Sequence, residues 1–219
     1  MTRAASEPRP LAQRHEGVTI VAVTGLVLLV ACAALLSARG TGEAGARAII
    51  RFTARLSAPL FCLAFAAAAI NRLWPRGPGR WLLRNRRALG LSFALSHTVH
   101  LGALVALARL LADPFLWRTS GVGGVVGGGV GYLFLFALVG TSFDGAVRFL
   151  GRARWSLLHT SGVYVLWFIF AFTYFGVALG TQAPLAFAYL ALLLAALGLR
   201  IVARLIRRRP GERASAGVR

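Results

Sequence analysis

Ala88-Leu89-Gly90-Leu91-Ser92-Phe93-Ala94-Leu95-Ser96-His97-Thr98-Val99-His100-Leu101-Gly102-Ala103-Leu104-Val105-Ala106-Leu107-Ala108 runs apolar without a charge until Arg109, and it carries two histidines near its middle. About 20 such residues cross a bilayer as one helix. An ionisable side chain inside a membrane helix is costly, so it is by default a functional-site hypothesis. A third histidine, His159, opens another apolar stretch. Two membrane helices that turn imidazoles toward a shared interior could hold a b-type haem by axial ligation.

The rest of the chain agrees with a membrane reading. Of its 219 residues 58% are hydrophobic, and the mean hydropathy is +0.70. A soluble fold could not hide that much apolar surface. Six apolar stretches stand out, at about 18–36, 56–73, 88–111, 123–140, 156–178 and 184–205. The first is longer than the apolar run of a secretory signal peptide, so a retained helix is expected. The expected architecture is an all-α membrane protein, a six-transmembrane-helix bundle over residues 18–205 between polar tails at 1–17 and 206–219.

The formal charge of +19 would ordinarily suggest nucleic acid, but every basic residue is an arginine at or near the end of an apolar stretch. No RNA- or DNA-binding motif accompanies them, so they read as topology signals and no nucleic-acid partner is expected. Counted by connection, 19 of the 25 arginines fall on the side of both termini. The positive-inside rule then predicts an N-in/C-in protein. The absence of lysine suggests a GC-rich bacterial genome, and hence a multi-pass protein of the bacterial inner (cytoplasmic) membrane in contact with lipid. No connection exceeds about twenty residues, too short for a soluble flavin or nicotinamide domain. Cys32 and Cys62 form neither a CxxC nor a CxxCH motif, which removes support for an iron–sulfur site or covalent haem.

His97 and His100 share a helix face. At about 1.5 Å per residue, His97 lies about 15 Å past Arg87, His100 about 20 Å, and His159 about 8 Å past Arg154. By depth His97 matches His159 better. His97 and His100 are too close together to serve separate stacked haems, so a bis-His site needs one of them with His159. The alternative is that each imidazole is neutral and hydrogen-bonds a neighbouring helix. A zinc or copper site ranks lower, since no Asp, Glu or Cys is placed to complete it. His15, in the N-terminal tail, is given no role.

Two motif groups carry a family resemblance. One is Arg86-Arg87-Ala88-Leu89-Gly90-Leu91 followed by Ser96-His97-Thr98-Val99-His100. The other is Thr141-Ser142-Phe143-Asp144, then Leu150-Gly151, then Trp155-Ser156-Leu157-Leu158-His159 running into Gly162-Val163-Tyr164. Over about residues 50–178 the chain resembles the ferric-reductase-like transmembrane family, whose members include the small haem-binding membrane subunit of the bacterial periplasmic methionine sulfoxide reductase system. The resemblance implies haem ligands at His100 and His159, with His97 as the alternate. It also implies a redox partner protein or quinone. The family commonly has a second histidine about thirteen residues after the first on the fifth helix, and here Phe172 stands there. One haem b is therefore expected rather than two.

Arg87 and Arg154, with Arg86 and Arg152, stand at the expected cytoplasmic mouth of the two histidine helices, where arginine suits haem propionates. Arg47, Arg51 and Arg55 form a stripe at i, i+4 spacing. They read either as snorkelling cations paired with Glu43 and Asp113 or, through Thr53-Ala54-Arg55-Leu56-Ser57, as an anion or quinone head-group site. The glycines from Gly121 to Gly131 suit close helix packing, and Asp144 could cap a helix or pair with Arg148. Trp74, Trp155 and Trp167 read as interface or packing aromatics.

The function expected from all this is a b-type haem-binding electron-transfer subunit, fed by a quinol or flavoprotein. As an enzyme it would be a ferric-reductase-like oxidoreductase component lacking its own flavin or nucleotide domain. The rival is a non-redox transporter or scaffold subunit without haem.

Overall fold

The computed structural model describes residues 11–111 and 115–207, with side chains at 15–111, 121 and 123–206. Most of both tails, Asp113 and the side chain of Arg118 lie outside the described residues. Among these are seven helices: α1 (Leu11–Arg39), α2 (Glu43–Leu73), α3 (Pro78–Leu111), α4 (Phe115–Gly140), α5 (Asp144–Leu150), α6 (Arg152–Thr181) and α7 (Pro184–Arg207). Six stretches are long and apolar enough to cross a membrane: His15–Arg39, Glu43–Leu73, Pro78–Leu111, Gly123–Gly140, Arg152–Thr181 and Pro184–Ile206. They contain the six expected spans, so spans five and six are α6 and α7. The one unforeseen helix is α5. It follows a bend at Ser142–Phe143 and stops at Gly151, whose φ of 76° suits a residue without a side chain.

The bundle is built around α2 and α3, its most extensively packed pair. Small side chains make the close approach possible, since association in lipid relies on packing and small residues let backbones near one another. Ala67 of α2 is buried with Leu82 and Leu89 of α3, and a Cβ on Gly79 of α3 would lie 3.0 Å from the Asn71 Cα of α2. The main core adds Phe61, Phe65, Phe93, Leu135, Leu138, Leu166, Phe170 and Leu193, from α2, α3, α4, α6 and α7. In contrast, α1 packs outside, against α3 and α2, with Gly17 and Gly25 beside Ala88 and Leu95.

Hydroxyls fill the rest of the α2–α3 interface. Thr53, Ser57, Ser92 and Ser96 are wholly buried. Ser57 Oγ donates to Ser96 Oγ at 3.0 Å, and Ser96 Oγ donates to the Thr53 carbonyl at 3.3 Å. Thr53 and Ser57 therefore face α3, whereas Arg55 is exposed on the other side of α2. The expected head-group segment 53–57 is split between two faces. Arg47 pairs with Glu43 at 2.6 Å, as the snorkelling reading expected.

Two local expectations change. Among the α4 glycines whose surroundings are described, Gly131 is tight: an added Cβ would lie 3.2 Å from Ile169, whereas Gly123, Gly127, Gly128 and Gly129 meet nothing within 4 Å. Asp144 makes no side-chain cap, and it reaches Arg87 at 4.0 Å across the bundle.

Candidate functional site

At the end of the bundle where α2 turns into α3 and α4 leads through α5 into α6, the helices part around a cavity of about 530 Å³. That volume is within the range of cofactor and ligand sites. Its walls combine an apolar floor (Phe61, Phe65, Leu135, Leu166) with His159, Trp155, Ser142 and the arginines Arg84, Arg86, Arg87 and Arg200. Gly90 of α3 also lines it, and a Cβ there would meet nothing within 4 Å. The motif that opens α3 thus contributes both cations and open space.

His159 is held by two neighbours. The Trp155 ring stacks on it at 4.2 Å, and its Nε2 lies 2.9 Å from Thr141 Oγ1. Thr141 already donates its proton to the Ala137 carbonyl at 2.6 Å. Its oxygen therefore accepts from His159 Nε2–H, and Nδ1 keeps the lone pair. Ligation through Nε2 would need the ring proton to move to Nδ1, and it would exchange one hydrogen bond, a net of about 1 kcal/mol, for a bond to metal.

His97 and His100 occupy a different place. Their rings lie parallel, 5.0 Å apart and 5° from coplanar in orientation. His100 Nδ1 is 3.0 Å from Thr53 Oγ1 and 3.1 Å from the Ile50 carbonyl. Because Thr53 donates to Ile49 O at 2.7 Å, the His100 Nδ1–H is the donor to both, which leaves Nε2 unprotonated. Metal-binding histidines are commonly oriented by such a second bond. His97 stacks among Phe93, Tyr132 and Phe170, with ring centroids 5.6, 5.1 and 5.1 Å away. Its Nδ1 is buried without a partner among the described residues.

The structure brings His97 and His100 together and sets His159 apart. Phe170, which touches His97, lies eleven residues beyond His159 on α6, about 16 Å along the helix axis. Metal–imidazole bonds are about 2 Å long, so His159 and either α3 imidazole do not converge on one iron in this arrangement. Phe172 is 68% exposed on the outside of α6. The inward positions near it are Phe170 and Tyr174, whose hydroxyl donates to the Ala54 carbonyl at 3.1 Å.

The arginines divide in the same way. Arg87 lines the cavity, pairs with Asp144 and lies over the Phe143 ring at 5.1 Å. Arg154 is exposed and is not part of the cavity wall. Arg200, which the sequence offered only as a topology signal, does line it. The visible clue was its place inside the last span, ahead of the basic run that ends it.

The residues present fit a haem. An imidazole faces a cavity of suitable size, and cations at its mouth match propionate carboxylates.

No family model matches the chain, and no solved structure does. Over 129 residues, 54% of this chain, it is 39% identical to the protein-methionine-sulfoxide reductase heme-binding subunit MsrQ of Deinococcus radiodurans. The match takes in 57% of that protein, so the chain spans little more than half the length of the curated relative it matches. This likeness agrees with the resemblance read from the histidine motifs.

Proposed function

We propose that the chain is a haem-binding electron-transfer subunit of the bacterial inner membrane, with its termini and cavity mouth on the cytoplasmic side. The observation that carries this reading is His159 beside four arginines around a 530 Å³ cavity inside a membrane bundle. When bound there, a b-type haem would supply one-electron ferric–ferrous cycling. His159 would hold its iron through Nε2, with the ring proton moved to Nδ1 and the bond to Thr141 released. Arg86 and Arg87 would stand at the propionate edge, with Arg154 farther out at the same mouth.

The apolar floor excludes water and lowers the local dielectric, which sharpens the influence of the arginine charges on the site. The aromatic cluster of Phe61, Phe93, Phe170 and His97 leads from the floor toward the opposite side of the bundle. We assign His97 and His100 to that exit route. In the relative's terms the electrons would leave for a methionine-sulfoxide-reducing partner, and they would arrive from a quinol or a cytoplasmic flavoprotein. His159 with His100 or His97 on one iron is the competing arrangement, and it requires α3 and α6 to slide relative to each other.

The test is a reduced-minus-oxidised visible spectrum and pyridine haemochrome of protein purified from haem-supplemented cells. The expected result is a b-type spectrum at one haem per chain. Absence of any Soret band would reject the redox reading in favour of the transporter or scaffold.

A further inference from the structure

Arg200 lies inside the span Pro184–Ile206, about 9 Å from its end. A cation at that position needs partners, and those it has are neutral. Its guanidinium lies over two edge-to-face aromatic rings, 4.2 Å from the Phe65 centroid and 4.9 Å from that of Tyr164. Nη1 donates to the Phe65 carbonyl at 2.7 Å, and Nε donates to the Tyr164 hydroxyl at 3.2 Å. Among the described residues no carboxylate pairs with it, and the rest of the fork has no protein acceptor.

The other cavity arginines make the contrast. Arg84 pairs with Glu16 at 3.8 Å and Arg87 with Asp144 at 4.0 Å. Arg86 has no such acid among the described residues, and it lines the same cavity as Arg200. Two cations thus line the cavity with no carboxylate paired to either among the described residues. The two ring contacts and two hydrogen bonds hold the Arg200 fork in one orientation, so little entropy is lost when an anion arrives. A planar, two-oxygen anion is what such a fork pairs with best.

We propose that Arg200, with Arg86, is the anion-binding group of this cavity and receives a haem propionate carboxylate. This rests on the haem reading above and assigns to α7 a binding residue that the histidine motifs do not contain.

The test is a Soret titration of the purified full-length protein, stripped of haem, with haem b and in parallel with its dimethyl ester, whose propionates carry no charge. The expected result is that the protein binds haem b at least tenfold more tightly than the ester, that Arg200→Gln abolishes the preference, and that Arg204→Gln, which removes a charge outside the cavity wall, preserves it. Arg200→Lys keeps the charge without the fork and should retain part of the preference. This variant serves if Arg200→Gln does not fold. Equal binding of haem b and its ester by the unmodified protein would overturn the Arg200 assignment while leaving the haem reading intact, as would a preference that survives in Arg200→Gln. If neither compound binds the unmodified protein, the haem reading itself fails. A lipid phosphate as the true occupant would show as haem-independent retention of anionic lipid by the unmodified protein and its loss in Arg200→Gln, which also overturns the propionate assignment.

Discussion

His159 and the His97–His100 pair are the same side chain placed in two kinds of surroundings. His159 stands at the edge of open space, held by one hydroxyl and one indole and faced by arginines. On α3, His100 faces the seam with α2, where Thr53 and the Ile50 carbonyl orient its ring, and His97 faces α4 and α6, where Tyr132 and Phe170 enclose it with Phe93. The difference is one of packing. Small and hydroxyl-bearing residues let α2 and α3 close on each other, whereas α3 and α6 diverge at the arginine-rich end and leave a cavity. On the proposed reading, a cofactor needs space beside the imidazole as well as the imidazole itself.

This contrast can be attacked from the cavity side first. Gly90 faces open space, so Gly90→Phe should fill it and weaken haem binding by at least about tenfold, or 1.4 kcal/mol, with little change in folded helicity. Haem stoichiometry and far-ultraviolet circular dichroism on the same sample check this. If haem content were unchanged, the cofactor would lie elsewhere.

The seam should answer to crowding instead. Ala67 is completely buried against Leu82 and Leu89, so Ala67→Leu should destabilise the bundle by about 1–3 kcal/mol, read as a lower unfolding temperature in detergent. A milder version is Gly162→Ala, whose new Cβ would lie 3.1 Å from Leu138 on α4. Gly127→Ala, with nothing within 4 Å, should be neutral or gain up to about 1 kcal/mol of helix propensity. Equal melting of the two glycine variants would contradict the packing described for α4 and α6.

Thr53→Val keeps the shape of the seam and removes one acceptor from His100. A loss of about 0.5–1.5 kcal/mol is expected, without loss of haem if His100 is not a ligand. The smallest effect belongs to the exposed Arg47–Glu43 pair. Glu43→Gln should change the melting temperature by an amount corresponding to about 0–1 kcal/mol, and less at high salt.

Much of this protein is legible from its residues. Length and apolarity place all six spans, because a bilayer of fixed thickness imposes both. The RRALGL and LLH motifs point to α3 and α6, and both line the cavity. What sequence spacing does not carry is the relative depth of two helices. Counting from Arg87 and Arg154 put His97 only about 7 Å deeper than His159, because it assumed that both arginines mark one plane. The bend at Ser142–Phe143 and the added helix α5 remove that common reference. Thr53 and Ser57, like Ser92 and Ser96, recur at i, i+4 spacing, a pattern that could have revealed the seam. Arg200 was hidden among arginines that all read as topology signals, since its distinction is its aromatic neighbours, Phe65 and Tyr164, which lie on two other helices.

The most direct test of the central assignment is the haem content of His159→Ala, His97→Ala and His100→Ala, purified side by side and normalised to folded protein. The account predicts that His159→Ala loses the Soret band while the two α3 variants retain it. Loss of haem in His100→Ala or His97→Ala, with His159→Ala retaining the full complement, would contradict it.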